Sequence, residues 1–177
     1  MNRTQAEALY NKAAEYAGLT GAETLLDLYC GTGTIGLSMA SRAKKLIGAE
    51  IIPSAVENAR KNAAHNHVTN AEFLCGDAKD AALVEDARGE RPDVIVIDPP
   101  RKGCDAAVIT TIAAMRPTRV VYVSCDPATL ARDLKQFTAE DYNIEAVTPV
   151  DMFPGTAHVE TVVLLSKGEV DSKKIRV

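Results

Sequence analysis

Three side chains able to do chemistry stand at the ends of apolar runs. In "VVYVSCDPATL" (120–130), five residues that read as a buried strand lead to Cys125, two positions before Pro127 opens a helix. A lone thiol there is either a small packing residue or a nucleophile held at the open end of a sheet. "VIVIDPPRKG" ends in the same way, with Asp98 followed by two prolines that pin the backbone and project its carboxylate. Glu160 stands just ahead of the apolar "TVVLL" and is either a rim charge or a proton acceptor. A thiolate with a proton acceptor would make sense in one demanding reaction, while the plainer readings stay open. Carbon 5 of a uracil ring is too weak a nucleophile to take a methyl group from a sulfonium. A thiolate that adds to carbon 6 turns the ring into an enolate, carbon 5 becomes nucleophilic, and a base then removes its proton. Arg101 and Lys102 follow Asp98 directly, either to neutralise a phosphate or as the charged rim of a surface turn.

Such groups need a scaffold. Thr4 and Glu7 have capping-box spacing ahead of a helix to residue 17, with Ala6, Leu9, Tyr10, Ala13 and Ala17 on one face. "TLLDLY", "KLIGAE", "AEFLCGD", "PDVIVIDPP" and "RVVYVSC" read as strands. "LSMASRA", "SAVENARKNAAHN", "AKDAALVEDA", "DAAVITTIAAM" and "PATLARDLKQF" read as helices between and after them. "YNIEAVTPVDMF" and "HVETVVLLSK" are two more strands with no room for a helix between them, so they form an antiparallel pair. The alternation predicts an α/β, Rossmann-like fold. Its seven-stranded sheet is mostly parallel, with an antiparallel C-terminal strand and helices on both faces. Residues 1–167 form one domain and 168–177 a polar tail.

In such a sheet, ligands bind beyond the carboxyl ends of the strands. "LLDLYCGTGTIG" places Asp27 in the first strand and Gly31 and Gly33 in the turn after it, where a backbone can approach a ligand closely. Glu50 ends the second strand, where a carboxylate can accept from ribose hydroxyls, and Asp77 ends the third, where it can accept from an adenine amino group. Gly31, Gly33 and Gly36 also satisfy the dinucleotide pattern, so NAD competes, and Glu50 and Asp77 can be read as plain solvated strand ends.

Composition narrows the setting. Of 177 residues, 46% are apolar and 25% charged, the balance of a soluble globular domain. No apolar run suggests a membrane span or a signal peptide, so a cytoplasmic monomer is expected. The cysteines, Cys30, Cys75, Cys104 and Cys125, form no C-x-x-C pair; reduced thiols are expected, and no metal or iron–sulfur cluster. A net charge of −4 argues against a broad nucleic-acid surface unless specific residues carry the contact.

Taken together, "LDLYCGTGTIGL", "DPPRKG", "VYVSCDPATLARDL" and "DMFPGTAHVETVVLL" resemble the RNA (uracil-5-)-methyltransferases, enzymes of class EC 2.1.1 that form 5-methyluridine in ribosomal or transfer RNA. The resemblance covers nearly the whole chain. It implies the class I methyltransferase fold, S-adenosyl-L-methionine as cofactor, S-adenosyl-L-homocysteine as product, and RNA, preferably 23S ribosomal RNA, as substrate. It puts the nucleophile on Cys125, the general base on Glu160 and substrate orientation on Asp98. Cofactor contacts fall on Tyr29, Gly31, Gly33, Thr34, Glu50, Asp77 and Asp98, and candidate RNA contacts on Arg101, Lys102 and Arg132. Three features depart from the family pattern. Asp126 replaces the usual Asn beside the nucleophile, a charge that Arg132 or another cation would have to offset. The Gln of an F-x-Q-x-N pattern is missing ahead of Asn2, and the family's N-terminal RNA-binding domain is expected to be absent. Two rival readings stay open: methylation of an exocyclic purine amine, using Asp98 and its prolines without Cys125, and a cofactor-binding domain inactive in isolation.

Overall fold

A strand buried on both faces must be apolar on both, and "VIVI" and "VVYV" are. In the computed structural model, which describes residues 3–80, 89–152 and 159–168, they form the centre of one sheet. The strands are β1 (Thr24–Leu28), β2 (Lys45–Glu50), β3 (Ala71–Cys75), β4 (Val94–Ile97), β5 (Arg119–Ser124), β6 (Tyr142–Val150) and β7 (Glu160–Lys167). Their order is β3-β2-β1-β4-β5-β7-β6. All neighbours are parallel except around β7, which runs antiparallel to both β5 and β6. The seven strands, the antiparallel strand and the two-faced helical cover are as the sequence predicts.

The described helices are α1 (Arg3–Ala17), α2 (Thr34–Met39), α3 (Pro53–His65), α4 (Ala106–Met115) and α5 (Pro127–Ala139). Side chains alternate across the sheet. Leu25, Val96, Val121, Val123 and Val162 pack with α1, α2 and α3, while Leu26, Ile95, Val120, Tyr122 and Val163 pack with α4 and α5. Continued one step past β4 and β5, the alternation carries Asp98 and Cys125 to the α1 side, which Asp27 and Glu160 share. Four chemically able side chains therefore leave the sheet toward one face at one edge. That edge includes the switch point between β1 and β4, where the strand order reverses.

Two local expectations change. Thr4 lies inside α1 rather than capping it. Tyr29 is not the last residue of β1 but the first of the turn, with φ of 60°. The helix expected over "AKDAALVEDA" is helical at residues 78–80, and 81–88 lie outside the described residues. So do residues 153–158 of the segment before β7, including His158, and the tail from residue 169.

Candidate active site

The glycine turn after β1 is held by carboxylates. Glu50 accepts from the Gly31 N–H at 2.9 Å and from the Ile52 N–H at 3.0 Å, so the end of β2 fixes the turn after β1. Asp27, 1% exposed, accepts from the Gly36 N–H at 2.9 Å, at the start of α2. Its other oxygen is buried without a hydrogen-bond partner. Burial is the main reason that the Asp27 carboxyl is pushed up to about 7. Beside the turn lies a cleft of about 380 Å³, bounded by Tyr29, Glu50, Ile52, Asp77, Asp98 and Lys102, among others. Asp77 also accepts from the Lys79 N–H at 2.9 Å. The polar lining is mostly acidic, with Ile51 and Ile52 offering exposed apolar surface next to it. Carboxylates for a cationic amino acid and ribose hydroxyls, and aliphatic groups for a flat base, fit S-adenosylmethionine.

Asp98 joins this cleft to the thiol. The residue is exposed, directly after the buried β4. Desolvation, with the Glu160 charge behind it, pushes its carboxyl up to about 7. Cys125 is half-buried, and its thiol is held above the ordinary range by burial first and then by Glu160, with Asp98 adding to this. Arg101 acts in the opposite direction on Cys125. Glu160 is raised by burial and lowered by the same Arg101. Asp98 and Glu160, from strand ends on either side of Cys125, thus both oppose the thiolate, and Arg101 offsets them at Cys125 and lowers Glu160 as well.

Comparison with known proteins accords with this geometry. The family model described as tRNA (Uracil-5-)-methyltransferase matches residues 5–168. The chain belongs to this family. An uncharacterized RNA methyltransferase of Staphylococcus aureus (strain MSSA476) is 54% identical over 166 residues, 94% of this chain and 36% of its own length. The chain thus spans about a third of the curated relatives it matches. Among solved structures, the Pyrococcus abyssi tRNA (uracil-54, C5)-methyltransferase in complex with S-adenosyl-L-homocysteine superposes with a TM-score of 0.81 at 36% identity, covering 93% of this chain and 39% of that one. The N-methyltransferase NodS of Bradyrhizobium japonicum superposes with a TM-score of 0.76 at 15% identity, covering 95% and 99%, a likeness of fold alone.

Within this uracil-5-methyltransferase domain, the predicted site residues separate into groups. Tyr29, Glu50, Asp77 and Asp98 line the cleft, and Gly31 and Gly33 form the turn beside it, both with positive φ. Thr34 faces away, into a shallow groove with Leu37, Ser38 and Asn62, and its hydroxyl meets that of Thr32. Arg132 is not the cation beside Cys125. Its guanidinium binds the buried Asp133 carboxylate and the Lys102 carbonyl. Asp126 is likewise engaged: it caps α5, accepting from the Ala128 and Thr129 N–H groups at 2.9 and 3.0 Å. Bonds to the helix start, the Thr129 N–H foremost, hold its carboxyl below the ordinary range. Its charge is therefore directed to the helix N-terminus.

Asp133 escaped the sequence reading. It is 1% exposed and accepts from the Tyr122 hydroxyl and the Cys104 N–H, both at 2.7 Å. The signal was available: Leu130, Asp133 and Phe137 form the buried stripe of α5, and a carboxylate on an apolar stripe requires partners.

Proposed function

We propose that this domain methylates carbon 5 of uridine in RNA through a covalent adduct with Cys125. The observation that carries the reading is the placement of Asp98, Cys125 and Glu160 at three adjacent strand ends on one side of the sheet, with Asp98 lining the acidic cleft and Arg101 bearing on Cys125 and Glu160. The Cys125 thiolate adds to carbon 6, forming the S–C6 bond and moving the ring electrons toward carbon 5 and the oxygen on carbon 4. Glu50, Asp77 and the turn of Gly31 and Gly33 would hold S-adenosylmethionine, which would supply the methyl group to carbon 5 and leave as S-adenosylhomocysteine. Glu160 then takes the carbon-5 proton. The electrons of that C–H bond restore the ring double bond, the S–C6 bond breaks, and Cys125 leaves as thiolate. Asp98 orients the polar edge of the pyrimidine. A base needs a raised pKa to hold the proton it removes, and the desolvated Glu160 meets that need.

RNA carrying 5-fluorouridine tests the reading, because fluorine cannot leave as a proton does. With cofactor present, a denaturation-resistant protein–RNA complex is expected, and it should vanish in Cys125→Ala. An adduct that persists in Cys125→Ala removes the assignment, and methylation by that variant transfers the activity to a cysteine-free route. Mapping 5-methyluridine in ribosomal and transfer RNA, from cells with and without the gene, identifies the substrate.

A further inference from the structure

Helix α5 starts two residues after Cys125 and lies against the segment that follows Asp98. Three of its side chains hold that segment by its backbone. Thr129 Oγ1 donates to the Arg101 carbonyl at 3.0 Å, and Arg132 Nη2 donates to the Lys102 carbonyl at 2.7 Å. Asp133 Oδ2 accepts from the Cys104 N–H at 2.7 Å. Positions i, i+3 and i+4 share one helix face, so the three contacts fall on consecutive parts of one loop. The anchor is buried: Asp133 Oδ2 also takes the Tyr122 hydroxyl, and its Oδ1 takes Arg132 Nε at 2.9 Å. Gly103 completes the fit. Its φ is +77°, and a Cβ there would stand 2.5 Å from Asp133 Oδ2 and 2.6 Å from Arg132 Nη2. A buried carboxylate this fully bonded carries a large desolvation cost that only the complete set of contacts offsets.

What the clamp holds in place is Arg101. Among the described residues, the charges that bear on the Cys125 thiol are Glu160 from β7, Asp98 from beyond β4, and Arg101; the first two oppose the thiolate and Arg101 favours it. Asp126, next in sequence, is turned onto the start of α5. An arginine side chain is long and rotamer-rich, so its charge is useful to a thiolate only if its backbone is fixed.

We propose that Thr129, Arg132 and Asp133 are positioning residues, which fix the Arg101 backbone near Cys125 so that the guanidinium supports the attacking thiolate. The proposal rests on Cys125 being the nucleophile, and it gives the "TLARD" stretch a role that neither substrate contact nor cofactor contact supplies.

The test uses iodoacetamide alkylation of this chain from about pH 7 to about pH 12, wide enough to bracket a thiol held above its ordinary range. Mass spectrometry of the Cys125 peptide separates it from the exposed Cys75 and yields the thiol's titration midpoint. Neither RNA nor cofactor is needed, so failure here is distinct from failure of the 5-fluorouridine trap. Arg101→Gln is expected to raise the midpoint by about one unit, the usual size of a lost neighbouring charge. Thr129→Val and Arg132→Gln should raise it in the same direction by less, while Lys135→Gln, which removes a charge from the exposed side of α5, should leave it in place. An unmoved midpoint in Arg101→Gln overturns the role of Arg101. A shift there with none in Thr129→Val and Arg132→Gln overturns the clamp, as does a fall in melting temperature without a shift. If Arg132→Gln does not fold, the near-isosteric Thr129→Val decides.

Discussion

Asp27 accepts the Gly36 N–H at 2.9 Å, and no side chain larger than hydrogen fits at Gly36 beside that bond. A Cβ there would lie 2.7 Å from Asp27 Oδ2 and 2.9 Å from Leu46 Cδ1. Gly36, in the first turn of α2, thus permits the close contact between α2 and Asp27 of β1. Gly36→Ala is expected to destabilise the domain by about 1–3 kcal/mol, the usual cost of overpacking. Because Asp27 must move, binding of S-adenosylhomocysteine should weaken as well. Thermal denaturation and calorimetric titration check the two effects.

Asp27 also makes stability depend on pH. Its carboxyl titrates at about 7 when folded, against an ordinary value of 3.8, chiefly because it is buried, with the Asp98 and Glu50 charges adding to this. Above the unfolded value the unfolded chain ionises while the folded protein keeps its proton. This group's contribution is therefore whole in acid and is lost as pH rises toward 7. Asp27→Asn cannot ionise. Its melting temperature, relative to the unsubstituted protein, should climb between about pH 4 and about pH 8 and then level off. A difference that stays flat across this range would show that Asp27 is ionised throughout.

The sheet and the placement of the three groups proposed to react were legible because each follows from a local rule. "VIVI" and "VVYV" have no polar face, so their strands must be central, and Asp98 and Cys125 come immediately after them. Glu160 precedes "TVVLL" in the same way. The Arg101–Cys125 relation was not legible, because it depends on how α5 holds a loop whose residues precede it by some 30 positions. The choice between Arg132 and another cation stays open in sequence for the same reason; in space Arg132 is bound to Asp133 and the Lys102 carbonyl. Thr34 was assigned by its place in a motif, yet the first turn of α2 points it away from the cleft.

Asp126, where the family pattern has Asn, is a helix cap before it is a charge. Asn caps as well as Asp, and Ala does not. Asp126→Ala should therefore lower the melting temperature by a few degrees, and Asp126→Asn should restore most of it. Hydrogen bonds from the helix start, led by the Thr129 N–H, lower the Asp126 carboxyl, so the charge-dependent part of the cap is present near neutrality and is lost on acidification through the folded value. The gap between Asp126→Asn and the unsubstituted protein should close in acid, as melting curves taken across pH would record. A large fall in the Cys125 alkylation midpoint on Asp126→Asn would instead mean that the carboxylate acts on the thiol.

Glu160 offers the sharpest separation of the chemical steps. If Glu160 removes the carbon-5 proton after methyl transfer, its loss should leave addition and transfer possible but block release. Glu160→Gln keeps the size of the side chain and removes its basicity. With S-adenosylmethionine and ordinary uridine-containing RNA, it should accumulate a methylated covalent complex that the unsubstituted enzyme does not build up, while turnover falls by about 10²–10⁴-fold, the usual contribution of a general base. The removal of a carboxylate that opposes the thiolate should also lower the Cys125 alkylation midpoint, since Glu160 is the second cause of its elevation after burial. The two readouts together are diagnostic. A lowered midpoint without a trapped complex would make Glu160 an electrostatic neighbour of the thiol and move the general base to another group; a trapped complex fixes the order of steps, with proton removal last.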